Sequence, residues 1–420
     1  MNNSRRKFIN HFSSILGGSI LFNDPSYFEF VKEIDFNTER INTKKLSKFY
    51  MIKEDGIYLN HASIGTIPQP VHNAHVKYLK ICESNPSLYV WGAPWKKITD
   101  LARTLSAELL KCNKDDIAIT HNTTEGFNIL AHGLVLKETD EVLFSSLNHA
   151  GASMPWKGLS KNKNFNVRSF NFPMDLVPEI TEDKIVDLYS SQIRKNTKVL
   201  IFPHIDNIVG LQHPIEKIAI NAKKLGVEYV FVDGAQSLGM IPLDLSKTKV
   251  DAYSMSPHKW LQAPKGTGLF FISKTMRKKI PSMWYKSSLS MKDNTAKKYE
   301  DYSTRAWPAV VALADAIRFQ NKIGLKKKNN YYNYLWSETK KIVDTSPDLI
   351  WHSPRDKGLS SMIMTIEAKK KSSSIVSKTL NEKHDIYLRP FENPLNALRI
   401  SPNMFTDIMD IKKTIKIIDS

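Results

Sequence analysis

The chain has 420 residues, with 60 lysines and arginines against 42 aspartates and glutamates, which gives a formal charge of +18 at neutral pH. That length carries two or three domains with an ample core, and 41% hydrophobic with 24% charged residues excludes a disordered or fibrous chain. Two cysteines, Cys82 and Cys112, are too few for a disulfide scaffold and lack metal-ligand spacing, so no metal site is expected, and one bridge between them stays open.

The first residues read as an address. Ser4-Arg5-Arg6-Lys7-Phe8-Ile9 precedes a short apolar run from His11 to Phe22 and a polar stop at Asn23-Asp24-Pro25. The order resembles a twin-arginine signal, which exports proteins already folded. It implies a periplasmic protein with residues 1–25 as the signal. The alternative is a basic amphipathic helix on a cytoplasmic protein. No later segment reaches the roughly 18 apolar residues of a spanning helix, so no transmembrane anchor is expected.

From Asp116 onward, short apolar runs alternate with amphipathic stretches. Strands are expected at Ile117–Thr120, Glu141–Ser145, Lys198–Pro203, Glu228–Asp233, Ala252–Ser256 and Thr267–Ile272, most of them continuous runs of the kind buried on both faces. Helices are expected at Thr124–Leu134 and Pro214–Leu225. The pattern reads as a mainly parallel α/β sheet covered by helices. The short link between the last two strands holds no crossover helix, so that pair is expected to be antiparallel. After about Trp307, long Lys-rich helices at Ala309–Ile323 and Asn330–Val343 and short strands at Ser361–Glu367 and Ala397–Ile400 indicate a smaller α+β domain. The boundaries are a signal at 1–25, an arm at 26–64 that joins the small domain, a large domain at 65–306 and a small domain at 307–420. The lysine clusters Lys326–Lys328 and Lys369–Lys371 read as solvated turns without interleaved aromatics, so nucleic acid is not expected as a partner.

Two neighbouring segments carry chemistry: Val230-Phe-Val-Asp233-Gly-Ala-Gln236-Ser and Tyr253-Ser-Met-Ser256-Pro-His258-Lys259-Trp. Both place polar groups at the C-terminal ends of buried strands, where open α/β sheets bind ligands. A lysine with a carboxylate one strand away suits a pyridoxal phosphate (PLP) Schiff base: the amine forms the imine, and the carboxylate keeps the pyridine nitrogen protonated.

From about Tyr58 to its end, the chain resembles the class V aminotransferase group of fold type I PLP enzymes. That group includes cysteine desulfurases and isopenicillin N epimerase-like proteins. The resemblance implies Lys259 as the Schiff-base lysine, Asp233 as partner of the pyridine nitrogen and Gln236 as donor to the ring hydroxyl. Ser256 and His258 fall at phosphate or cofactor-pocket positions. It puts Thr123 and Thr124, in the turn Thr120-His-Asn-Thr-Thr-Glu-Gly, on the phosphate; His149 at the ring-stacking position; and Asn207 near the ring hydroxyl. Ser303-Thr304-Arg305 resembles the element whose threonine reaches the neighbouring subunit's cofactor, which implies a homodimer, although Ser303 departs from the family's glycine. Arg399, in Leu398-Arg-Ile-Ser401, matches the arginine that binds the substrate carboxylate, and Asn60 lies in the segment that crosses the active site. A cysteine desulfurase would need a thiol in the loop 388–398, which has none. The expected activity is therefore that of an aminotransferase or epimerase acting on an α-amino acid, with a C–S lyase as the alternative and a non-catalytic PLP-fold protein behind both.

Overall fold

The computed structural model describes residues 47–53, 55–87, 93–285 and 293–420, so the signal segment and the arm up to residue 46 lie outside the described residues. In chain order the elements are β1 (Ile57–Tyr58), α1 (Gln69–Ser84), α2 (Ala93–Leu110), β2 (Ile117–Thr120), α3 (Thr123–Gly133), β3 (Glu141–Ser145), α4 (Ala150–Lys163), β4 (Asn166–Phe170), α5 (Glu182–Gln192), β5 (Thr197–Pro203), α6 (Ile215–Lys224), β6 (Tyr229–Asp233), β7 (Ala252–Met255), β8 (Gly268–Ile272) and α7 (Lys274–Lys279). They continue with α8 (Trp307–Ile323), α9 (Leu325–Thr345), β9 (Leu349–Trp351), β10 (Met364–Ala368), α10 (Ser373–His384), β11 (Ile386–Tyr387), β12 (Arg389–Phe391), β13 (Ala397–Ile400) and α11 (Ile408–Asp419).

The first eight strands except β1 form a seven-stranded sheet in the order β2-β8-β7-β6-β5-β3-β4. Only β8 runs against its neighbours: it pairs antiparallel with β2 and β7, while the remaining pairs are parallel. The continuous apolar runs follow from burial on both faces. On β5, Leu200 and Phe202 enter one core and Val199 and Ile201 the other; on β6, Val230 and Val232 oppose Phe231 in the same way. The edge strand β4 has no such run, since Asn166 and Ser169 are exposed, and its Arg168 pairs with the buried Glu141 of β3 at 2.8 and 2.9 Å.

The second sheet, β12-β13-β10-β9, is antiparallel throughout. The segment Tyr58–Ala62 joins it. β1 pairs in parallel with β11, and beyond it the amide of His61 donates to Ser401 O (3.1 Å) while that of Ser401 donates to Leu59 O (2.8 Å). Helix α8, started by Pro308 and buried along most of its length, packs against α1 and α2 on the large sheet's side. Gly324, at φ +84°, then turns the chain into α9, which leads to the second sheet.

One expectation needs correction. Lys328 is not part of a solvated turn: its ammonium is buried and donates to Gly239 O (2.6 Å), Trp260 O (3.0 Å) and Gln320 Oε1 (2.9 Å). Three donors meet three acceptors, which offsets the cost of burying the amine. Cys82 and Cys112 form no bridge; both are free thiols.

Candidate active site

The parallel strands β5, β6 and β7 end side by side, with Pro203 paired to Asp233 and Asp233 to Ser254. Asp233 is therefore carried, buried, at the centre of the sheet's C-terminal edge. One carboxylate oxygen accepts the Ala235 amide at 2.9 Å; the other has no hydrogen-bond partner among the described residues. Burial raises its pKa, opposed by that amide and by the charges of His149 and Lys259. Tyr253, on the neighbouring strand β7, places its hydroxyl 2.6 Å from His204 Nδ1, just past the end of β5, and 2.5 Å from Ser237 Oγ, just past the end of β6.

Lys259 follows β7 in a turn closed by its own amide on Ser256 O (3.1 Å). Its side chain is half-buried, and its amine has no hydrogen bond or ion pair among the described residues. Burial lowers its pKa to about 8, with Asp233 opposing and Arg399 adding to the shift. An unpaired amine of lowered pKa is suited to attack a carbonyl. Behind it, the Trp260 indole N–H donates to Gln236 Oε1 (2.8 Å), and Gln236 Nε2 donates to Ala62 O (2.9 Å). Because indole only donates and a carbonyl only accepts, the orientation of the Gln236 amide is determined, and one N–H of Nε2 is left over.

At the head of α3 the N-cap is Asn122, whose side chain accepts the Glu125 amide at 3.0 Å, so neither threonine serves as the cap. Thr123 is buried with its hydroxyl 2.8 Å from Ser256 Oγ, and Thr124 is exposed. The turn is pressed closely against its neighbours: a Cβ at Gly126 would fall 2.3 Å from Ser254 Oγ, and one at Gly151, in the first turn of α4, 2.5 Å from Thr124 Oγ1. His149 caps α4, its Nδ1 accepting the Gly151 amide at 3.0 Å, which leaves its other nitrogen as the protonated one in the neutral ring. The ring is open to solvent on one side. Its partial enclosure lowers its pKa, with Asp233 opposing and Lys259, Arg399 and Arg389 adding to the effect. His258 is half-buried, with Nδ1 3.3 Å from Thr267 O.

The front segment closes over this edge. The Gly65 amide donates to His258 O at 3.1 Å, and a Cβ there would lie 2.1 Å from Lys259 O, so the segment rests on the lysine turn itself. Arg399, on β13, is buried and has no acid within ion-pair distance among the described residues. It donates to Asn207 O (2.7 Å), Asn60 Oδ1 (2.9 Å) and Ser63 Oγ, and its Nε is left without a partner. Asn207 meets the site through that carbonyl. Thr304 is exposed and not drawn into this cluster; Tyr302 and Arg305 hold its segment against His121 (2.9 Å) and Ile119 O (2.8 Å). Ser303, where the family's pattern has glycine, adopts φ +84°.

These groups fit PLP. A carboxylate with one free oxygen suits the pyridine nitrogen, an unpaired amine suits the aldehyde, an imidazole suits the ring face, and hydroxyls at a helix N-terminus suit the phosphate. Sequence reasoning missed Lys328, which holds the carbonyl of Trp260; the Tyr253–His204 contact; and Arg389, whose charge acts on His149 and Arg399.

Comparisons with known proteins agree with this geometry. Residues 57–390 match the family model described as aminotransferase class-V. A probable cysteine desulfurase of Pyrococcus abyssi is 24% identical over 317 residues, 73% of this chain and 77% of that protein. The isopenicillin N epimerase of Amycolatopsis lactamdurans is 29% identical over 212 residues, 50% of this chain and 52% of that protein. Among solved structures, the cystine C–S lyase C-DES in complex with cysteine persulfide covers 87% of this chain and 97% of its own, with TM-score 0.77 and 20% identity. A C-DES variant with glycine covalently linked to its PLP cofactor superposes with TM-score 0.75 and 21% identity over 87% of this chain and 96% of its own.

Proposed function

Because the chain belongs to the class V aminotransferase family of PLP-dependent enzymes, we propose that it labilises the Cα–H bond of an α-amino acid, as an aminotransferase or epimerase, with Lys259 as the cofactor-binding lysine and catalytic base. The observation that carries this reading is the unpaired Lys259 amine after β7, one strand away from the buried Asp233 that ends β6; burial also lowers the amine's pKa. When bound, PLP supplies the electron sink that makes the Cα proton acidic. The chain's own residues do the rest. Lys259 accepts the proton at Nζ and returns it. Asp233 would present its free oxygen to the pyridine nitrogen, and Thr123, Thr124, Ser256 and His258 would hold the phosphate end. His149 would cover the ring, the spare N–H of Gln236 would reach the ring hydroxyl, and Asn207 would lie near that hydroxyl while its carbonyl holds Arg399. Arg399 receives the substrate carboxylate, with Asn60 and Ser63 fixing its plane.

A second reading, β-elimination by a C–S lyase, starts from the same proton transfer and is favoured by the likeness to C-DES. Desulfuration through a protein-bound persulfide is disfavoured. Burial pushes the pKa of Cys82 up to about 11 and that of Cys112 to about 12, so neither offers a thiolate at neutral pH. Exposed Thr304 supports a homodimer in which this residue reaches the other subunit's cofactor.

The test is Cα–H exchange in deuterated water, followed by NMR across a panel of amino acids. Wild-type protein loaded with PLP is expected to show a visible absorption band and to exchange the Cα proton; Lys259→Ala is expected to do neither. A keto acid, the opposite enantiomer, or pyruvate with ammonia then separates the three reactions. Exchange undiminished in Lys259→Ala would sink the assignment.

A further inference from the structure

Arg389 and Arg399 stand directly opposite each other on the antiparallel strands β12 and β13. Directly opposed residues share a face, and like charges there repel. Both guanidinium groups lie over the same Phe391 ring, with their central carbons 5.9 and 5.6 Å from its centroid. Neither has an acidic partner within ion-pair distance among the described residues: Arg399 donates only to neutral oxygens of Asn207, Asn60 and Ser63, and Arg389 is exposed. Both charges act on His149, as do those of Lys259 and Asp233, and the strand register holds Arg389 beside Arg399. The nearby acid Asp206 accepts the amides of Ile208, Val209 and Leu211 and attracts Arg399 without forming an ion pair with it. Arg399 is buried and tied to the front segment, whereas Arg389 is exposed at the rim with all its donors free among the described residues.

Two cations on one face, neither in an ion pair among the described residues, one buried and one exposed, match two acid groups on one small molecule. We propose that the substrate is an amino acid with an acidic side chain, its α-carboxylate at Arg399 and its second acid group at Arg389. The proposal rests on the preceding reading of Arg399 as the carboxylate site. A planar guanidinium can grip such a group with two parallel hydrogen bonds, and the approach of substrate removes the water that weakens an exposed pair.

The test uses the PLP-loaded enzyme. Spectral titrations with L-glutamate, L-aspartate, L-alanine and L-leucine are paired with calorimetry of succinate and propionate, which have no amine and report binding without chemistry. Wild type is expected to prefer the acidic amino acids and to bind succinate over propionate. Arg389→Ala is expected to lower the glutamate-to-alanine affinity ratio roughly 5- to 30-fold, and Arg389→Lys to restore part of it. Alanine bound as tightly as glutamate and aspartate by wild type, or an unchanged ratio in Arg389→Ala, overturns the proposal. Failure of every amino acid to perturb the bound cofactor would instead overturn the proposed function, so the two failures are distinct.

Discussion

Gly65→Ala tests whether the front segment is seated on the lysine turn. A Cβ at this position would sit 2.1 Å from Lys259 O and 2.8 Å from His258 O, and both are backbone atoms that cannot rotate away. The segment must retreat by more than an ångström, which breaks the 3.1 Å bond from the Gly65 amide to His258 O. One backbone hydrogen bond is worth about 1 kcal/mol, and forced overpacking costs about 1–3 kcal/mol, so the local penalty is about 2–4 kcal/mol. At about 1.4 kcal/mol per tenfold, amide exchange in the segment should accelerate between roughly 30-fold and several hundred-fold. The reporters are the amides of His61 and Ser401, which join the segment to the small sheet. Hydrogen-exchange mass spectrometry of peptides covering 59–65 and 398–403 reads them, with β5 and β6 as internal references. Gly158→Ala is the control: position 158 is exposed within α4 with nothing near its would-be Cβ, so this change should be neutral or stabilise by about 0.5–1 kcal/mol. Equal protection of His61 and Ser401 in the two variants would refute the seating argument. Since Asn60 and Ser63 on the same segment hold Arg399, carboxylate binding should weaken together with the exchange protection.

Asp315→Asn should flatten part of the pH dependence of stability. Burial raises the Asp315 pKa to about 6, from an ordinary 3.8, although Tyr78 donates to it at 2.9 Å. An acid whose folded pKa lies above its unfolded value contributes stability that is present at low pH and lost as pH rises from about 3.8 to 6, on the order of 3 kcal/mol at neutrality. Asparagine still accepts the Tyr78 hydroxyl but does not titrate, so urea midpoints of the variant should fall less between pH 4 and 6.5; parallel profiles would contradict this. For the assembly, light scattering should return twice the mass of one chain, and Thr304→Ala should reduce the affinity for PLP without unfolding the protein. A single-chain mass at micromolar concentration would remove the dimer.

The central strands were legible because burial on both faces writes an uninterrupted apolar run, as in Val230-Phe231-Val232. β4 was not, since an edge strand keeps Asn166 and Ser169 in water and satisfies Arg168 with Glu141. The placement of Asp233 and Lys259 was legible for a related reason: polar residues at and just after the end of a buried run lie at the C-terminal edge of the sheet. Lys328 was misread by composition, as one of three consecutive lysines. Its helical phase held the signal, because Lys328, Tyr331, Tyr332, Leu335, Trp336, Thr339 and Val343 recur on one buried face of α9. The seat of Gly65 on Lys259 and the pairing of Arg389 with Arg399 depend on contacts or register set by the folded sheets, which no local pattern encodes.

The arrangement of the small sheet also bears on where sulfur could go, should the substrate contain it. In this chain the stretch in which a desulfurase would place its thiol is a paired strand, Arg389–Phe391 in register with Ala397–Arg399, followed by a turn without cysteine. A guanidinium binds anions and accepts no sulfur atom, so no protein persulfide can form there. Sulfur would leave by elimination after Cα deprotonation at Lys259, the same first step that transamination and epimerisation require. The Arg389–Arg399 pair and the raised pKa of Cys82 and Cys112 thus act in one direction: they support the proposed assignment of the chemistry to the lysine and of substrate selection to the two arginines.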